Sequence, residues 1–247
     1  MLLSKNRAIT DMRFMLGKIP VDVTRKSIKH VHLSVYPPNG KVRISAPSHM
    51  KPETIRVFAI SKLGWIKKQQ AILKKQERET PREYLNQESH YYLGRRFLMK
   101  LVDHQQSAGI LIKHGKIVVN QRGESAPEKA RNVLQIWYRD EIRRIGGELI
   151  KKWEPKIDVK VSDFGIKLMK TKWGTCNPTE KRIWLNLELA KKPIECIEYI
   201  VVHEIVHILE RKHNDNFVRL MNKHLPKWKF HREELNRSPL RHENWLY

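Results

Sequence analysis

Apolar and polar positions alternate with a period of two in three early stretches, Val21-Asp22-Val23, Val31-His32-Leu33-Ser34-Val35 and Val42-Arg43-Ile44-Ser45-Ala46. That period predicts half-buried β-strands. Pro37-Pro38-Asn39-Gly40 supplies a turn between the last two, so the opening reads as an antiparallel hairpin with one strand before it. From Pro52 the period changes. Ile55, Phe58, Ala59, Leu63, Ile66 and Ile72 recur at helical spacing, with Lys62, Lys67, Lys68, Lys74 and Lys75 on the solvent side, which predicts one long helix with Trp65 in the core.

The polar run over residues 76–89, interrupted by Pro81, reads as a connector. Strand patterns return at Tyr91-Tyr92, over residues 97–102, at Ile110-Leu111-Ile112 and over residues 116–119, a meander with turns at Gly94, Gly109 and Gly115. It is expected to join the first strands in one small mixed module. From Pro127 to about Trp153, Ala130, Val133, Leu134, Trp137, Ile142, Ile145 and Leu149 mark a second helix, with Gly146-Gly147 as its weak point. Val159 to Val161 suggests a short strand. A hairpin turning at Asn177-Pro178 and ending in Arg182-Ile183-Trp184-Leu185-Asn186-Leu187 precedes an apolar helix opened by Pro193. Two shorter helices follow, one around Phe217, Leu220, Met221 and Leu225 and one from Pro226. The expected class is α+β. A loosely held extension covers residues 1–20, a basic β-rich module with one long helix residues 21–125, and a domain of helices and a β-hairpin residues 126–247.

Composition adds charge to this picture. Forty-nine Lys and Arg against 26 Asp and Glu give a net charge of +23. This points to an anionic partner or substrate, with nucleic-acid contact through the basic surface as one form of it and a solvated surface as the plain alternative. The segment Met1 to Leu16 is broken by Lys5, Arg7, Asp11 and Arg13, no stretch has the length of a membrane span, and Cys176 and Cys196 are too few for a disulfide scaffold. A cytoplasmic protein with both thiols reduced and no membrane partner is expected.

The chemistry concentrates at Val201-Val202-His203-Glu204-Ile205-Val206-His207. Two imidazoles four residues apart project from one helix face, the geometry by which H-E-x-x-H grips one zinc ion, and Glu204 stands where a general base belongs. Zinc needs a third ligand and an open position for water. His213 would lie about 15 Å along an unbroken helix from His203, so the helix must end first. Arg211 and Lys212 suit its C-terminus, and Asn214 or Asp215 can cap a new helix. His224, His231, Glu233 and Glu234 are the other candidates for the third ligand. The offsets of zero, four and ten are those of the metzincin pattern, but Glu210 stands in its glycine position. Lys170, Lys172 and Arg211 are near enough in sequence to stabilise negative charge developing on a substrate.

The run Trp173-Gly174-Thr175-Cys176, then Ile183-Trp184-Leu185-Asn186, Pro193, Tyr199 to His207, His213 and Phe217 resembles the YgjP-like metal-dependent hydrolase family. The likeness extends from Val21 to about Leu235, and the early strand pair ending in Ser45-Ala46-Pro47 resembles that family's N-terminal module. It implies a zincin-type catalytic half related to the SprT and WLM metallopeptidases. Residue by residue it implies His203, His207 and His213 as metal ligands and Glu204 as base, with Thr175 standing in the family's serine position. Trp173 to Cys176 then line the cleft or form a structural turn, and Trp173, Gly174, Lys172 and Arg211 are the candidate substrate contacts.

The expected activity is hydrolysis by zinc-activated water with Glu204 as base, most simply of a peptide or protein. Two alternatives stay open. One is phosphoanhydride hydrolysis of a nucleoside triphosphate, and the other is a protease directed to nucleic-acid-bound proteins by the basic N-terminal module.

Overall fold

The computed structural model describes residues 12–36, 39–75, 82–103, 108–123, 126–169 and 172–237. The protein is α+β, and its described residues divide into two compact units, 12–75 and 82–237.

The first unit opens with strands β1 (Met12–Leu16), β2 (Ile19–Lys26), β3 (His32–Tyr36) and β4 (Lys41–Pro47). Their order is β1-β2-β4-β3, so the chain is already paired from Met12, within the expected loose extension. β3 and β4 form the expected antiparallel hairpin, but β2 runs parallel to β4. The following helix is two helices, α1 (Pro52–Ser61) and α2 (Leu63–Lys75). They part at Lys62, whose φ of −102° and ψ of 4° leave the helical range. The Ser61 hydroxyl donates to Phe58 O at 2.8 Å, a local bond that competes with the helical ladder. Ile55, Ala59 and Ile66 close the core over Phe14, Leu16, Val21, Val23, Val42 and Ile44. Trp65 and Ile72, both expected inside, are 44% and 47% exposed, because the one apolar stripe that meets the sheet passes through Ile66 instead.

The second unit repeats that strand order. β5 (Ser89–Tyr92), β6 (Arg95–Asp103), β7 (Gly109–Lys113) and β8 (Lys116–Gln121) pair as β5-β6-β8-β7, again with a parallel central pair and again with a helix after the fourth strand. The meander reading fails because β6 pairs with β8 across β7. This sheet also leaves the N-terminal module: Phe97, Met99, Ile117 and Val119 share one core with α3 (Pro127–Ile157), so contacts divide the chain near residue 78 and not near 125.

α3 runs unbroken through Gly146-Gly147. A Cβ at Gly146 would sit 2.9 Å from Leu185 Cδ1 and 3.4 Å from the Phe164 ring, so these glycines admit neighbouring side chains and do not weaken the helix. The strand expected at Val159 to Val161 lies two residues on, as β9 (Asp163–Lys167), parallel to β11 (Arg182–Asn186). β10 (Gly174–Asn177) pairs antiparallel on the other side of β11, which leaves β10 at the sheet edge. A 3₁₀ turn, Leu187–Lys191, leads to α4 (Ile194–Leu209), and α5 (Asp215–His224) and α6 (Trp228–Arg237) follow.

Within this core His90 is 3% exposed, and burial followed by the charges of Arg82 and Lys191 pushes its imidazole down to about 3. Glu88 lies 3.5 Å from its Nε2 without holding a proton there, since its carboxylate accepts the amides of Glu83 and Leu85. An unfolded imidazole titrates near 6.5, so between about pH 6.5 and 3 the unfolded chain binds a proton that the folded chain refuses. This contribution is complete above the unfolded value and is lost as pH falls. Urea denaturation at pH 7 and pH 5 is expected to show a smaller acid loss of stability in His90→Gln than in the wild type.

Candidate metal centre and cleft

α4 is buried along almost its whole circumference. Cys196, Ile197, Val201, Val202, Ile205 and Val206 are fully covered, and the polar edge of His203, Glu204 and His207 is what faces the cleft. The helix ends at Leu209. Glu210 follows with φ of −138° and ψ of 107°, an extended conformation open to any residue, so no glycine is needed where the metzincin pattern has one. The Glu210 carboxylate accepts the Lys212 amide and the Asn216 side chain, and Asn214 Oδ1 caps α5 by accepting the Phe217 amide at 3.0 Å. This stapled turn carries His213 back over α4.

His213 Nε2 lies 3.0 Å from His203 Nε2, and one donor atom from each of His203, His207 and His213 falls within 4.8 Å of the others. Among the described residues this is the group of three that could hold a metal. His231 is elsewhere, its carbonyl and the Glu234 carboxylate flanking the Cys196 thiol. Phe217 packs against all three imidazoles, with ring centroids 4.7–4.9 Å away. His207 Nδ1 donates to Glu210 O at 3.0 Å, which fixes the ring and leaves Nε2 for a ligand. Burial holds His203 down to about 3 and lowers His207 as well, so both present neutral nitrogen lone pairs at neutral pH. Three converging imidazoles are a donor set that zinc accepts at about 2.0–2.1 Å, and the residues present fit the ion.

Glu204 is 4% exposed, and burial pushes its carboxyl up to about 8 against the opposing charge of Lys172. β10 presses on it: a Cβ at Gly174 would lie 2.6 Å from Glu204 Oε1 and 2.8 Å from its Cγ. Gly174→Ala is therefore expected to push the carboxylate aside and lower turnover about 100-fold with metal content unchanged, the loss typical of a misplacement near 1 Å. Steady-state kinetics beside metal analysis would check it.

Trp173, Gly174, Thr175, Cys176, Lys172 and Arg211 line one cleft of about 800 Å³ with the three histidines and Glu204. Lys170 lies outside the described residues. The Lys172 charge also acts on His207. Sequence reasoning overlooked Arg232 and Tyr199, which line the same cleft. Arg232 sits 5.1 Å from the centre of the Trp228 ring, which is stacked on Tyr199, itself edge-on to His203. It also overlooked Asn186. The buried carboxamide donates to Met169 O and Lys172 O and accepts the amides of Met169 and Glu188, tying the segment before β10 to β11. Tyr199 stands one turn before His203 on α4, a spacing that could have marked it, whereas Arg232 on α6 and Asn186 on β11 come from other elements and no spacing points to them.

Comparison with curated proteins finds no match. The metallopeptidase zymogen abylysin of Pyrococcus abyssi aligns over 38% of this chain and 99% of its own, at 18% identity and a TM-score of 0.35. The zymogen jannalysin of Methanocaldococcus jannaschii aligns over 36% and 92%, at 18% identity and a TM-score of 0.33. The family model described as the YgjP-like, metallopeptidase domain matches residues 29–238, and the chain belongs to that YgjP-like family.

Proposed function

We propose that the protein is a zinc-dependent metallopeptidase in which His203, His207 and His213 hold one metal ion and Glu204 is the general base. The observation that carries this reading is the position of Glu204, a desolvated carboxyl group packed against Gly174 of the edge strand β10 in the cleft that the three histidines line. An edge strand along the cleft wall can take an extended peptide as one more strand, which sets a scissile carbonyl beside the cluster. Zinc bound there would lower the pKa of a water to about 7 and polarise the carbonyl. Glu204 would accept the proton of that water and return it to the leaving amine. Arg232 and Arg211 stand in the cleft to meet negative charge developing on oxygen. We place the protein in a reducing cytoplasmic compartment, since Cys176 and Cys196 are both free thiols. Among the described residues no helix is long and apolar enough to cross a membrane.

A second reading is phosphoanhydride hydrolysis. Lys172, Arg211 and Arg232 line the cleft, with Glu204 as its one acid, which suits a nucleotide as well as an acidic peptide. Zinc-loaded protein tested on unstructured proteins and on nucleoside triphosphates separates the two. Protein cleavage without phosphate release supports the first reading, and phosphate release alone overturns it.

A further inference from the structure

The cleft beside the histidine cluster is elongated. Tyr199, Ile200, His203, Glu204 and His207 line it from successive turns of one face of α4, so it runs along that helix. An arginine stands at each end of this row. Arg232 enters from α6 at the Tyr199 end, and its charge acts on the Tyr199 hydroxyl. Its guanidinium lies 5.1 Å from the centre of the Trp228 ring. Trp228 is itself fixed: it is 5% exposed, stacked on Tyr199, and its indole nitrogen donates to Asn222 Oδ1 at 2.8 Å. A guanidinium laid over such a ring gives up little freedom when it takes a ligand. Arg211 stands at the other end, in the turn after Leu209, where the Glu210 carboxylate holds the backbone through the Lys212 amide. Both arginines are exposed, and among the described residues neither has a carboxylate partner.

We propose that this cleft selects an extended peptide with an acidic side chain on each side of the histidine cluster, one received by Arg232 and the other by Arg211. The proposal rests on the peptidase reading and names its substrate class. From Tyr199 to His207 the helix rises about 12 Å, the span of about four residues of extended chain. A carboxylate meets a guanidinium through two parallel hydrogen bonds, so a contact at each end sets register as well as charge. The bond to be cut then falls between the two acids, over Glu204 and the histidines. A triphosphate is one compact block of charge, whereas the two arginines are separated by the length of the histidine row. Beyond the charge that develops in the transition state, the arginines therefore bind the substrate in its ground state.

The test is fluorescence anisotropy of the full-length, zinc-loaded protein carrying Glu204→Gln, which binds without turnover and so reads the ground state alone. The probes are a labelled peptide with two glutamates about four residues apart, its analogue with two glutamines, and an isomer with the glutamates adjacent. The first peptide is expected to bind about 10-fold tighter than the glutamine analogue and about 3-fold tighter than the isomer. Arg232→Gln and Arg211→Gln should each weaken the first peptide about 5-fold and leave the glutamine analogue unchanged. Lys67→Gln with Lys68→Gln, which removes twice the charge from α2, should cost less than about 2-fold, because charges beyond a Debye length are screened. Arg232→Glu should restore binding to one of the two peptides in which a single glutamate is replaced by lysine. Equal affinity for the glutamate and glutamine peptides, equal losses in the α2 and arginine variants, or tighter binding of ATP than of the first peptide would each overturn the proposal. Wild-type protein with zinc then separates the two readings. Cleavage between the glutamates supports both, whereas preference for the acidic peptide without any cleavage supports the cleft assignment and overturns the peptidase reading.

Discussion

Glu204→Gln is expected to lower turnover by about 10²–10⁴-fold, the range that a positioned acid–base group contributes, while leaving the metal content of the wild type. The substitution keeps the side-chain volume, so the contact with β10 and the packing of α4 persist. It also leaves His203, His207, His213 and their Phe217 support untouched. What disappears is the proposed proton acceptor. Kinetics on a cleaved protein substrate, with metal analysis of the same samples, would decide the matter. Turnover within a few-fold of wild type would remove Glu204 from the chemistry, and a parallel loss of metal would make its role one of holding the site together.

The second large effect is expected from His203→Ala. One of three donors goes, and the remaining pair cannot surround the ion, so affinity should fall by more than the roughly 10–100-fold that losing a hydrogen-bond partner of a ligand costs. The readout need not be catalytic. Zinc that binds the folded chain alone stabilises it by about 2.7 kcal/mol at a hundred times its dissociation constant. The wild type should therefore melt at higher temperature when zinc is added to chelator-treated protein, and His203→Ala should not. The comparison is made within each protein, with and without zinc, because truncating His203 also removes its ring contacts with Tyr199 and Phe217. An equal zinc-induced shift in both proteins would place the ion elsewhere.

The sequence by itself determined the local parts of this protein. Alternation over residues 21–46 and 97–119 specified strands, and the spacing of His203 and His207 specified two imidazoles on one helix face, because both are periodicities of a single element. The polar turn after Leu209 required the chain to reverse, so His213 could return to α4. Tertiary structure alone decided what depends on which elements meet. Strand pairing across β3 and β7 made the central pairs parallel, and pairing is a long-range choice that alternation does not encode. The second sheet joined the unit that carries the histidine cluster because its apolar face packs with α3. Gly146-Gly147, a weak point by propensity, became a contact surface once Leu185 and Phe164 packed on it. Phe217 beneath the histidines, Asn186 behind the cleft loop and Arg232 over Trp228 come from three elements, and only their packing brings each of them to the cleft or to the loop beside it.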